Sequence, residues 1–523
     1  MNTFPWLSLS LLVPLVGAIV VASLPRRAVG EQPSSALPKQ VAFGFSLATL
    51  AVAAIIGTRY DAGGSRFQLN ETFDWITAFG AHYALGIDGI GLTLLLLTAI
   101  LTPVVILASW HDGEAGRWSE PAFFAWILGL ETLAIGVFEA TDVFWFYVLF
   151  EATLIPLYFL IGGYGGPNRA YAAVKFLLYN LFGGLVMLAS VVGLYVISAR
   201  QNGTPSYLFT DLSQLHLSTT AGRWLFAGFF IAFAIKAPMF PVHTWLPDAA
   251  DDAGPGTAVL MVSVLDKIGT FGMIRFCLGL FPEASRWATP VLLVLAVITV
   301  LYGALAAIAQ KNISRLIAYT SVSHMGFIIL GIFVLNSYGG TGSTLYMFNH
   351  GLSTAALFLV TGFLIKRRGS QLIGDFGGVE KVAPILAGIF LVAGLSSLSL
   401  PGLSPFVSEF LVLVGAFVHN FWYALFAVLS IVLAALYILL MYQRTMGGPP
   451  RPSVVGITDL NVREIVALAP LVGLLVFFGF YPQPLTTIIN PTVQSTLHHV
   501  GAGNPAPPVP ATAASAQQQG GSK

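Results

Sequence analysis

Again and again over 523 residues the sequence sustains an apolar run long enough to cross a lipid bilayer. No other feature restricts the fold as strongly. A hydrocarbon core of about 30 Å takes a helix of about 20 residues. The runs fall at 4–24, 41–58, 83–109, 119–140, 142–162, 171–198, 223–243, 255–281, 289–309, 314–336, 344–366, 382–411, 420–442 and 463–481. The chain is 56% hydrophobic and 9% charged, against about 25% charge in an ordinary globular domain. The expected class is an all-α polytopic membrane protein of about 14 transmembrane helices. The runs at 119–140 and 142–162 nearly fuse at Asp142, and the run at 382–411 is long and interrupted by Pro401 and Pro405.

Composition also excludes function classes. A net charge of +1 gives no nucleic-acid footprint. The single cysteine, Cys277, rules out a disulfide framework and reads as a small buried hydrophobe. The histidines are scattered over different spans with no carboxylate cluster, so no metal site is expected. No strand pattern precedes a glycine-rich phosphate loop, and the glycines read as helix-packing positions. Residues 1–24 read as a first transmembrane helix rather than a cleavable signal, because no charged region precedes them and Pro25-Arg26-Arg27 follows. Basic residues concentrate on the loops after odd-numbered spans, which puts those loops in the cytoplasm and both termini outside. Residues 496–523, ending in NPAPPVPATAASAQQQGGSK, read as a disordered tail.

Four basic residues fall inside spans: Lys175, Lys236, Lys267 and Arg275. A charge at the bilayer centre costs at least about 2.5–3.5 kcal/mol, which pairing, water or function must offset. Lys236 is followed by Pro238 and Pro241 in AIKAPMFPVHTWLPDA. Both prolines withdraw a backbone donor, and irregular backbone at membrane depth is tolerated only beside protein or water. Lysine and break together imply a hydrated pocket, and a buried lysine is suited to taking and releasing protons. Glu151, in FWFYVLFEATLIPLYFL, needs a cation or a proton, and Lys236 is its natural partner. Lys267 is the next station, and Glu409, in LPGLSPFVSEFLVLV, is the last intramembrane acid. His324 and His350 lie in Ser/Thr-rich spans suited to relay. Glu131 is either a relay acid or a helix-packing hydrogen bond; Lys175 and Arg275 either relay or snorkel; His243 sits at a helix end. Asp266, beside Lys267, has no assigned role. The proline breaks near 238–241 and 401–405, each preceded by a span with an ionisable residue, hint at paired repeats.

The runs YALGIDGIGLTLLLLT, IGVFEATDVFWFYVLFEATLIPLYFLIGGYG, IAFAIKAPMFPVHTWLPDA, SRLIAYTSVSHMGFIILGIF, HGLSTAALFLVTG, LPGLSPFVSEF and GFYPQP resemble the chain M family of bacterial proton-pumping NADH-quinone oxidoreductase, respiratory complex I. The match spans nearly all of residues 80–485. KAPMFPVHTWLPDA alone marks the wider antiporter-like superfamily, which includes chains L and N and the subunits of multi-component sodium/proton antiporters. Glu409 discriminates, since those relatives usually carry lysine there. The resemblance implies 14 helices and two inverted five-helix repeats, within 119–281 and 289–442. Helices 1–3 (1–118) precede the repeats and a last helix (463–481) follows. It implies proton translocation by Glu151, Lys236, Lys267 and Glu409, with His324, His350 and Glu131 along the connecting axis. It places FMN, iron–sulfur clusters and quinone in other subunits and none in this chain, and makes chains L and N the neighbours in a bacterial inner membrane. The segment DAADDAGPGTAVLMVSVLDKIG departs from the family pattern at Asp251, Asp252 and Asp266. The rival readings are a sodium/proton antiporter subunit and a non-pumping structural membrane subunit.

Overall fold

The computed structural model describes residues 4–25, 36–114 and 116–504. Arg26, Arg27 and the end of the chain from 505 lie outside them. Two outer helices, α1 (Trp6–Ser23) and α2 (Leu37–Arg59), lead into a hairpin of β1 (Gln68–Ile76) and β2 (Ala81–Ile87). Then follow α3 (Gly89–Ala108), α4 (Glu120–Glu139), α5 (Val143–Tyr164), α6 (Arg169–Asn202) and α7 (Thr219–Lys236). A short helix α8 (Trp245–Asp252) precedes α9 (Pro255–Leu278), α10 (Pro282–Ile308), α11 (Ile313–Phe333) and α12 (Ser337–Arg368). The chain closes with α13 (Pro384–Ser397), α14 (Ser404–His419), α15 (Phe421–Met446), α16 (Val462–Phe480) and α17 (Gln483–Val500).

Among the described residues, twelve helices are long and apolar enough to span a membrane, and α13 and α14 are shorter apolar helices. The helices sort by burial. α9, α11 and α12 are buried almost throughout their most apolar windows, whereas two thirds of the window in α2 and in α16 faces outward. Outward-facing Leu178, Phe182 and Leu185 of α6 are large apolar side chains without protein cover, as a lipid-facing surface requires. Asp266 and Lys267 on α9, His324 on α11 and His350 on α12 are therefore shielded by surrounding helices.

The structure corrects several boundaries. Residues 83–87, read as the start of the third span, belong to β2, which pairs antiparallel with β1. The apolar run there packs an external hairpin onto the bundle, and helix α3 begins only at Gly89, where the Asp88 side chain accepts from the Gly91 amide at 2.8 Å. The all-helical expectation thus holds for the bundle and fails for this hairpin. Asp142 separates α4 from α5 by capping the Phe144 and Trp145 amides. The run at 382–411 is two helices, because Ser399 (φ 58°) and Gly402 (φ 96°) turn the backbone left-handed between them. The helix α17 was not anticipated; Leu485, Ile489, Val493, Leu497 and Val500 face the core, and it carries the chain to Val500, past the expected start of the tail at 496. The remainder of that tail, from 505, lies outside the described residues.

Candidate functional site

Helix α7 ends at Lys236 because Pro238 cannot continue it. The freed carbonyls do not go unpaired. The Met239 amide donates to the Ala234 oxygen at 2.9 Å, and the Trp245 indole donates to the Ile235 oxygen at 2.9 Å. The break is thus held by protein, and the stretch 237–244 swings α8 back under α6 and α11. Asp248 of α8 fixes that position. It takes Lys175 at 2.5 Å and Arg315 at 2.6 Å, and Arg315 also approaches Asp251 at 3.7 Å. Lys175 is therefore one arm of an ion-pair clamp on the broken helix and does not extend freely towards a membrane surface.

Lys236 is fully buried, and its ammonium points at the turn in α5. It donates to the Phe150 carbonyl at 3.0 Å and to Thr153 Oγ1 at 3.1 Å, and lies 3.9 Å from the Phe150 ring centroid. Those contacts bracket Glu151 in sequence. The carboxylate itself turns toward α6, where Oε1 has no hydrogen-bond partner. It occupies the space a side chain at Gly184 would need: a Cβ there would stand 1.7 Å from Oε1. Lys236 thus contacts the residues on either side of Glu151 and forms no closed ion pair with the carboxylate itself.

The second group lies along α9, α11, α12 and the α13–α14 break. Lys267 Nζ meets the Val262 carbonyl at 2.6 Å and His350 Nδ1 at 2.7 Å. The His350 ring stands 5.2 Å from that of His324, edge to face, and His324 lies 5.7 Å from Tyr346. The Tyr346 hydroxyl donates to Glu409 Oε2 at 3.2 Å, and Ser399 donates to the same oxygen. Lys267, His350, His324, Tyr346 and Glu409 thus form one line of ionisable side chains through the buried core. The left-handed backbone at Ser399 is what turns its hydroxyl onto Glu409.

Other candidates separate from this line. Arg275 is buried and pairs with Asp88 at 3.0 Å under the hairpin, its guanidinium 4.7 Å from the Phe67 ring, so it does not snorkel. His243 is buried within the break between Phe240 and Tyr302, with neither ring nitrogen bonded. Glu131, on α4, is buried beside Thr102 with neither oxygen in hydrogen-bond contact. Thr153, Tyr346 and Ser399 escaped the reading of the sequence. Among spans full of Ser, Thr and Tyr, only three-dimensional placement distinguishes them. A weak signal existed for Ser399, which sits two residues before the proline break.

Residues 140–434 match the family described as NADH:quinone oxidoreductase/Mrp antiporter, TM. NADH-quinone oxidoreductase subunit M of Mycobacterium tuberculosis is 48% identical, over 99% of this chain and 100% of the relative. This chain belongs to the NADH-quinone oxidoreductase subunit M family. Other family members include subunit M of Rhodobacter capsulatus, 38% identical over 95% of this chain and 97% of the relative. Chain 4 of the NADH-ubiquinone oxidoreductase of Marchantia polymorpha is 35% identical over 94% and 96%. A chain of respiratory complex I from Thermus thermophilus with bound NADH superposes with a TM-score of 0.84 at 32% identity, covering 95% of this chain and all of that one. The Mrp complex of Dietzia gives 0.83 at 22% identity, over 96% and 100%, and shows the shared fold. As a subunit M family member, the chain is an antiporter-like membrane subunit. Among its described residues no group of three or more His, Cys, Asp or Glu could hold a metal ion.

Proposed function

We propose that this chain translocates protons as a membrane subunit of an NADH-quinone oxidoreductase, with electron transfer confined to other subunits. The carrying observation is the polar line from Lys267 through His350, His324 and Tyr346 to Glu409, with Lys236 and Glu151 in a separate cluster across α9. Glu151 carries the first half-channel with Lys236, Lys267 stands between the halves, and Glu409 is the last acid before release. His324 and His350 relay. Glu131 lines the axis, while Lys175, Arg275 and His243 support the fold around it. Chains L and N are the proposed neighbours, and both termini lie on the outer side of a bacterial inner membrane. Fourteen spans in two inverted repeats fit the paired breaks at 237–244 and 399–403.

The mechanism follows from the geometry around Lys236. An approaching carboxylate favours the ammonium; its withdrawal favours proton release in a dry site. Glu151 has an unbonded oxygen and contacts a glycine, so its side chain has a partner to gain and no strong bond to break. Moving one charge against 100 mV requires about 2.3 kcal/mol. A swing of two pKa units supplies about 2.7 kcal/mol, so one ion pair forming and opening is sufficient.

A subunit of a sodium/proton antiporter is the second reading, favoured by the shared fold with the Mrp complex. NADH-driven internal acidification of proteoliposomes holding the whole complex separates the two. Pumping that is independent of sodium and lost in Glu409→Gln supports proton translocation. Pumping that requires sodium, or survives Glu409→Gln unchanged, contradicts it.

A further inference from the structure

Asp266 is the buried ionisable group nearest the two lysines that the mechanism leaves idle. It is fully buried at the middle of α9, and neither of its carboxyl oxygens has a hydrogen-bond partner. A carboxylate so placed at membrane depth is retained only with a charge partner, a proton or a function.

Its direction is fixed by its neighbours on α9. Residues three and four apart share a helix face. Gly269, three positions on, touches α7 at its break: a Cβ there would stand 2.7 Å from both the Phe233 oxygen and the Ala237 nitrogen. Thr270, four positions on, lies against α12, with Oγ1 2.9 Å from the Met347 sulfur. Asp266 therefore faces the seam between α7, which ends in Lys236, and α12, which carries His350. Lys267 is about 100° around the helix and is already engaged with His350 at 2.7 Å. The Asp266 carboxylate is within electrostatic reach of both ammonium groups. The backbone departs from α-geometry on both sides of it, with π-helical turns at Leu260–Leu265 and Met273–Leu278. Such turns concentrate at functional sites.

We propose that Asp266 is a proton-relay residue joining the Glu151–Lys236 cluster to the Lys267–His350–Glu409 line. This assignment rests on the proton-translocating reading above. The proton leaving the Lys236 ammonium breaks an N–H bond and forms an O–H bond on Asp266. That O–H bond breaks in turn as Lys267 Nζ takes the proton, and no electrons move.

The test uses the intact complex in proteoliposomes carrying Asp266→Asn, Asp266→Glu or Lys236→Ala, with assembly, NADH oxidation and internal acidification measured on each. Asp266→Asn is expected to lower acidification by about tenfold or more, a barrier change of about 1.4 kcal/mol. Asp266→Glu, which keeps the acid, restores most of it. Parental acidification in Asp266→Asn together with loss in Lys236→Ala overturns the role of Asp266 alone. Parental acidification in both overturns the proton-translocating reading as well. If Asp266→Asn does not assemble, the glutamate variant decides: acidification at the parental level supports the relay, and its loss in an assembled complex overturns it.

Discussion

Lys267 Nζ stands 2.7 Å from His350 Nδ1, and the other ring nitrogen, Nε2, stands 3.1 Å from Thr354 Oγ1. At that separation one nitrogen carries the shared proton and the other supplies the lone pair, so the pair cannot be doubly charged. An ammonium on Lys267 requires a neutral imidazole with its remaining proton toward Thr354. Lysine and histidine therefore change charge as a unit. His350→Leu removes the acceptor and leaves Lys267 with the Val262 carbonyl. Acidification in assembled complex is expected to fall by about tenfold or more, while His350→Gln, which keeps a polar acceptor, falls less. Equal effects of the two variants count against a shared proton.

Tyr346 supplies the hydroxyl that links the histidines to Glu409. Tyr346→Phe deletes one hydrogen bond to the carboxyl and leaves the ring packed against His324. A hydrogen bond is worth about 1 kcal/mol, so coupled turnover should fall by roughly fivefold at unchanged assembly. Wild-type turnover in this variant shows that Ser399 alone serves Glu409.

Close approach at two glycines separates packing from chemistry. Gly184→Ala places a Cβ against Glu151, a side chain that can move, and is expected to reduce acidification without loss of assembled complex. Gly269→Ala places one against backbone at Phe233 and Ala237, which cannot. Overpacking there costs about 1–3 kcal/mol, read as a lower thermal midpoint of the complex. The reverse pattern removes the distinction.

Glu114, in the loop before α4, accepts from Lys39 at 2.6 Å and from His111 at 2.7 Å. Partial burial acts to raise its pKa. The hydrogen bonds and charges of Lys39 and then His111 outweigh that and hold the carboxyl below its ordinary value. A carboxyl whose pKa is depressed on folding stabilises above its unfolded pKa and ceases to as pH falls through the folded value. Glu114→Gln is therefore expected to lower the thermal midpoint near neutral pH and to change it little once the pH is below the carboxylate range. An equal decrement at both pH values shows that charge is not what Glu114 contributes.

Much of this was legible in the sequence, for identifiable reasons. Lys236, Glu151, Lys267 and Glu409 stood out because charge in a long apolar run has few explanations, and proline marked both breaks. The hairpin was not legible, since the YALGI run of β2 has the same apolarity as a span start. Arg275 looked free to reach the surface because its partner, Asp88, is remote in sequence and arrives through the hairpin and α3. Tyr346 and Ser399 are ordinary residues until the fold aims their hydroxyls at Glu409. Asp266 was visible as an oddity, and only the contacts of Gly269 and Thr270 show which way it faces.

Whether protons cross through this chain at all is tested most directly at Lys236. Complex assembled with Lys236→Ala, reconstituted in sealed vesicles, should be assayed for protons moved per electron delivered to quinone. A marked drop in that ratio, or loss of turnover with acidification, is the expected result. A parental ratio at parental turnover would contradict proton passage past Lys236 and leave the buried charges as structural pairs.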